Sequence, residues 1–112
     1  MQSSRKGDPR AMALDVRLHP LADGDLNRIY DFIAADSPVR AIAFLRELEA
    51  LTMSLGDHPG KGRLRMDLGP DIRSFSMRRR VVICYRVDAD AVEVLRFVYA
   101  GRLLDPLDFP EL

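Results

Sequence analysis

Seven side chains of this sequence have the chemistry to work on a charged partner: Arg63, Arg65, Arg73, Arg86, Arg96, Tyr99 and Arg102. Three of them come from one stretch, VLRFVYAGR (94–102), in which Arg96 and Arg102 flank the phenol of Tyr99. A guanidinium presents a planar fork of donors that fits phosphate or carboxylate oxygens, and it keeps its proton. Arginines therefore bind and neutralise; they do not exchange protons. Cleaving a phosphodiester through a neighbouring hydroxyl needs a base, an acid and cations on the phosphate. Arg73, Arg96, Tyr99 and Arg102 are the candidates if the chain does such chemistry, with Tyr99 the titratable one at an ordinary pKa of about 10. The two imidazoles, His19 and His58, fall at a strand end and in a Pro/Gly loop, where capping or solvent contact is expected. If the chain binds rather than cuts, Arg63, Arg65, Arg73, Arg86, Arg96 and Arg102 are its candidate contact residues.

Other chemistries find little support. The histidines and the single Cys84 are scattered, and the acids show no ligand spacing, so no metal site is expected. GKGR lacks the frame of a phosphate-cradling loop, and no cofactor is implied. Cys84 sits in the apolar run VVICY, where a buried inert thiol in a reducing cytoplasm is expected. No apolar run approaches the ~20 residues of a membrane span.

The arginines are not spread evenly. Residues 14–57 hold eight acids and four bases, whereas residues 58–102 hold ten bases and five acids. A basic half on a chain of zero net charge suggests an anionic partner, nucleic acid or acidic polypeptide. Local readings stay open. Arg78, Arg79 and Arg80 form a run that suits a solvated turn. Arg96 suits an internal ion pair with Glu93, Asp88 or a helix acid. Tyr99 suits a ring at the edge of the core.

The elements that must hold these residues follow from periodicity. ALDVRLH (13–19) alternates like a half-buried strand, and Pro20 stops it. Leu26, Ile29, Tyr30 and Ile33 recur at helical spacing, predicting a helix over 22–35 with Asp23 and Asp25 at its positive end. Ser37 and Pro38 then supply an N-cap and a first-turn proline for a second helix, which Gly56 ends. From residue 57 the period falls to two. Strands are predicted over 63–68, 72–77, 81–87 and 92–99, and their short links make them antiparallel neighbours. The helical hairpin has to bury its apolar stripe on the sheet. If Leu95 and Phe97 face the helices, Arg96 lies with other arginines on the open sheet face, unless a bulge shifts the register. One domain is expected over 13–112; residues 1–12 are expected to be a disordered or cloning-derived extension, with Met12 as the natural start. The fold class is α+β in the order β-α-α-β-β-β-β. The first strand and an antiparallel helical hairpin pack on one face of a small, mainly antiparallel twisted sheet.

With the elements in place, the chain resembles the RelE/ParE superfamily of type II toxin–antitoxin toxins, most nearly its ParE branch. The resemblance is carried by ADGDLNRIYDFIAADSPVRAIAFLREL, by HPGKGRLRMDLGPDIRSF with RRRVVICYRV, and by VLRFVYAGR. Tyr99 stands where histidine is frequent in the branch, Ala100–Gly101 inverts the usual small pair, and Leu103 replaces the usual acid. The resemblance implies a cytoplasmic toxin that poisons DNA gyrase without being an enzyme and is neutralised by a small cognate antitoxin. Operator DNA would be contacted only through the antitoxin's N-terminal half. The alternative it implies is a ribosome-dependent mRNA endonuclease. RelE-type nucleases resemble one another in a late tyrosine or histidine beyond this stretch; here Arg102 is followed by LLDPLDFPEL, with neither. A third possibility is a chain that serves chiefly as half of an operator-binding complex.

Overall fold

The computed structural model describes residues 13–99 and 109–110, so the N-terminal extension and Arg102 lie outside the described residues. The first alternating segment forms strand β1 (Asp15–Leu18). Helix α1 (Pro20–Ala34) follows at once: His19 caps it, its Nδ1 accepting from the Leu21 N–H at 3.1 Å, and Pro20 opens the first turn. Helix α2 (Pro38–Met53) starts as its sequence demands, with the Ser37 hydroxyl accepting from the Arg40 N–H. A 3₁₀ turn (Ser54–Gly56) ends it. Gly56 is required there, because a β-carbon would stand 2.4 Å from the Leu14 carbonyl oxygen.

Four strands complete the chain: β2 (Arg63–Leu64), β3 (Ile72–Met77), β4 (Val81–Val87) and β5 (Ala91–Tyr99). The sheet order is β1-β5-β4-β3-β2, antiparallel throughout except that β1 runs parallel to β5. On one face Leu48, Leu55, Ile83, Tyr85, Val92, Val94 and Phe97 join Ala22 and Ile29 beneath the helices. Burying each large aliphatic side chain contributes roughly 1.5–3 kcal/mol, against a median of about 0–1 kcal/mol for an exposed ion pair. The hairpin is held by this face, not by its surface charges.

Two expectations need correction. The strand predicted over 63–68 stops at Leu64, because the Leu68 N–H turns back to the Arg65 carbonyl and the Arg65 guanidinium grips Asp67. Leu68 is thereby delivered to the second sheet face. That face is not open: Leu68, Ile72, Cys84, Leu95 and Phe109 form a smaller buried cluster on it. Nor do Leu95 and Phe97 share a face. The β4–β5 register slips between Cys84 and Tyr85, so that Cys84 pairs with Arg96 and Tyr85 with Val94. Leu95 is the extra residue of a bulge, and from Arg96 onward the inward and outward positions are exchanged.

The run Arg78–Arg79–Arg80 is the exposed turn that its sequence suits, and a tight one. Arg78 and Arg79 have φ of 53° and 58°, and the Arg80 N–H returns to the Met77 carbonyl at 2.9 Å. Both central residues of this turn, which lies in a three-residue link between the paired Met77 and Val81, are left-handed, a conformation that Asn and Gly adopt easily and that costs other L-residues about 1–2 kcal/mol each. The Arg78–Glu47 ion pair at 2.9 Å is largely exposed and offsets little of this. Arg78→Asn with Arg79→Gly is expected to stabilise the fold by about 1 kcal/mol and raise the melting midpoint by roughly 4–8 °C. A calorimetric scan of the double variant checks it.

Candidate functional site

β1 ends early, and this shapes the far half of β5. The last bond from the β1 side is the His19 N–H to the Val94 carbonyl, after which the chain turns into α1. The edge of β5 beyond Val94 faces α1 in place of a strand. Asp25, on the buried stripe of α1 between Ala22 and Ile29, fills the gap. Its Oδ2 accepts from the Phe97 N–H at 3.0 Å and from Arg96 Nε at 2.7 Å; its Oδ1 accepts from Arg96 Nη2 at 2.8 Å and Arg28 Nη2 at 2.7 Å. Burial alone would push the Asp25 carboxyl up. The hydrogen bonds from Arg96, Arg28 and the Phe97 amide outweigh burial and hold it below the usual carboxylate range. Arg96 is only 9% exposed. Its charge is spent inside the protein, on a helix acid.

Tyr99 closes the same edge. Its ring makes edge contacts with Phe32 and Phe44 at 5.5 and 5.9 Å, and its hydroxyl accepts from Arg80 Nη2 at 2.9 Å. The Arg80 guanidinium lies over both Phe44 and Tyr99, an arrangement worth about 0.5–1 kcal/mol when exposed. Beside it, a depression of about 210 Å³ is lined by Asp25, Arg28, Ile29, Phe32, Phe97 and Tyr99. Phe32 stands 68% exposed at its rim.

The remaining sequence candidates separate. Arg73 donates from Nη1 to the Gly62 carbonyl at 2.8 Å, and Arg86 lies 3.5 Å from Glu93. Both serve loop and strand partners. Arg63 and Arg65 do come together: with Lys61, Ser74, Phe75, Ser76 and Val82 they line a shallow trough of about 400 Å³ along β2 and β3. The loop leading into it is pinned from below by Tyr85, whose hydroxyl accepts from the Gly62 N–H at 2.7 Å and donates to the Pro59 carbonyl at 2.8 Å. Cys84, fully buried, has its thiol pushed up to about 12 by burial, so it stays protonated and inert at neutral pH.

A third depression is of another kind. Between the helices and β1, about 290 Å³ is lined mainly by apolar side chains, among them Leu26, Tyr30, Ile42, Leu45 and Met53. Ile42 and Met53 are large and exposed. Among the described residues no cluster could hold a metal ion, and no helix is long and apolar enough to cross a membrane.

Sequence reasoning missed Asp25, Arg28, Arg80 and Lys61 as site residues. Asp25 carried a signal: an acid three residues after Ala22 and four before Ile29 falls on the stripe that must be buried. Lys61 and Arg80 carried none, because their places depend on how loops fold back.

Comparison with known proteins gives consistent results. The family described as "ParE toxin of type II toxin-antitoxin system, parDE" matches residues 16–104. Toxin ParE3 of Caulobacter vibrioides is 34% identical over 89 residues, which are 79% of this chain and 86% of that toxin. In three dimensions the chain is similar to a chain of the chromosomal ParDE toxin–antitoxin system from P. aeruginosa. The TM-score is 0.68 at 20% identity, covering 79% of this chain and 97% of that one. It is also similar to a chain of the RelBE2 toxin–antitoxin complex from Mycobacterium tuberculosis. There the TM-score is 0.55 at 24% identity, with 78% and 98% covered. At these identities the two solved structures show the shared fold.

Proposed function

This chain belongs to the ParE toxin family of type II toxin–antitoxin systems, and from that premise we propose that it arrests growth in the cytoplasm by binding DNA gyrase and holding it on cleaved DNA. A cognate antitoxin neutralises it. The observation that carries the binding reading over the cutting one is the commitment of the Arg96–Tyr99 region to internal partners. Arg96 is neutralised by Asp25, and the Tyr99 hydroxyl accepts from Arg80. A cation that steadies a phosphate has to be free to reach it, and Arg96 is spent on holding the end of β5. The apolar groove between the helices and β1 suits the amphipathic helix of an antitoxin, which would lay its apolar face there.

Expression of the chain without its antitoxin tests the reading. A gyrase poison induces the DNA-damage response while bulk translation at first continues; a ribosome-dependent endonuclease stops translation at once and leaves mRNA cut at codons. Tyr99→Phe keeps the ring in place and removes one exposed hydrogen bond, worth about 0.5–1.5 kcal/mol. It is therefore expected to remain toxic. Loss of mRNA cleavage in Tyr99→Phe or Arg102→Ala would replace gyrase with the ribosome as the target.

A further inference from the structure

Two of the depressions among the described residues differ sharply in chemistry. The groove by the helices is apolar. The trough on β2 and β3 is lined by three cations and two hydroxyls: Lys61, Arg63, Arg65, Ser74 and Ser76. Arg65 is held by Asp67, which itself stands 62% exposed, and the pair leaves the trough with a positive balance. Among the described residues neither Lys61 nor Arg63 has an ion-pair partner; Lys61 rests over the Phe75 ring at 4.6 Å. The Ser74 and Ser76 hydroxyls have no hydrogen-bond partner among the described residues.

Spacing adds to charge. Arg63 lies directly across from Ser74, and Ser74 and Ser76, two residues apart on β3, project to one side of it. Two strand residues span about 6.7 Å, comparable with the separation of successive phosphates along one nucleic-acid strand. A cation and hydroxyl at one step, followed by a hydroxyl at the next, form a short track for a sugar–phosphate backbone. An acidic helix would present its carboxylates at other intervals and would need an apolar floor to dock, which this trough lacks apart from Phe75 and Val82.

We infer that the Lys61–Arg63–Arg65 trough binds the phosphate backbone of DNA, without reading its sequence. Resting on the gyrase reading, this assigns the trough to the DNA that gyrase holds, so that the toxin contacts enzyme and DNA together. Backbone binding of this sort carries no base specificity and weakens steeply with salt.

The test uses the full chain and a fluorescein-labelled DNA duplex of mixed sequence, with anisotropy followed over a salt series. Wild type should bind with a falling log–log salt dependence. Lys61→Gln with Arg63→Gln, both exposed positions, should keep the melting midpoint, weaken affinity by about tenfold or more, and flatten the slope by about 2, roughly 0.9 for each phosphate no longer neutralised. Equal affinity and slope in the variant would overturn the inference. So would a poly-glutamate peptide that binds wild type more tightly than DNA and needs the same two residues. A pull-down of gyrase without DNA is run in parallel. If the double variant captures gyrase as wild type does but stabilises less cleaved DNA, the trough acts on DNA in that complex. If wild type fails to capture gyrase while its DNA isotherm stands, the gyrase reading fails and the phosphate track remains.

Discussion

Asp25→Ala is expected to cost about 3–5 kcal/mol of folding stability, the loss usual when one partner of a buried ion pair is removed. Against a total of about 5–15 kcal/mol for a domain, that loss removes a third or more of the stability of most domains and all of it at the low end. The cause is specific. Without the carboxylate, the buried Arg96 guanidinium and the Phe97 amide lose the acceptor that both share. Removing both charges, as Asp25→Leu with Arg96→Met, should recover a large part of the loss. Urea titrations of the single and double variants measure the difference.

The same carboxylate gives stability a pH dependence. Its native pKa is depressed, so its contribution is present in full above the unfolded value of about 3.9 and disappears as pH falls through the lower native value. Asp25→Asn should therefore melt with a flatter acid limb than wild type. An equally steep limb in the variant would mean that other acids carry the dependence.

Gly62→Ala is expected to cost as much as the upper end of the usual range of about 1–3 kcal/mol for overpacking, or more. A β-carbon on Gly62 would lie 2.8 Å from the Ser74 carbonyl oxygen, 2.8 Å from the Tyr85 hydroxyl and 2.9 Å from its ring. A backbone atom and a buried ring are both in the way, so β2 has to lift from β3 or Tyr85 has to release Pro59. Either response moves Lys61 and Arg63, and DNA affinity should fall together with stability. Tyr85→Phe separates the two effects: it removes the hydroxyl but leaves room at Gly62. Thermal melts of both variants, with the anisotropy assay beside them, show whether the loop or the strand gives way.

Much of this architecture was legible in the order of the amino acids. The Ser37–Pro38 start and the switch from period 3.6 to period 2 near residue 57 both appear where the sequence puts them. The bulge was not legible, for a simple reason. VEVLRFV has apolar residues at Val92, Val94, Leu95, Phe97 and Val98, so alternation cannot say where the register slips. Strand β2 misled because Leu64, Met66 and Leu68 alternate as a strand does, while the Leu68 N–H returns to the Arg65 carbonyl in a turn that buries Leu68 on the second face. The arginines were visible as a set, but their sorting was not. Which of them is spent inside and which is offered outside depends on partners such as Asp25, Glu93 and the Gly62 carbonyl, which lie far away in the chain or around a turn.

The meeting of Asp25 with the Phe97 amide also bears on how the protein behaves toward copies of itself. A bare strand margin is a template on which another chain can stack, and stacking of that kind seeds aggregates. Here the Phe97 donor beyond the end of β1 is already taken by a charged group clamped between Arg28 and Arg96. An incoming copy would have to displace that carboxylate from the guanidinium groups that hold it. A single acid on the first helix thus blunts this one stretch of margin, while β1 and β2 remain the outer strands of the sheet.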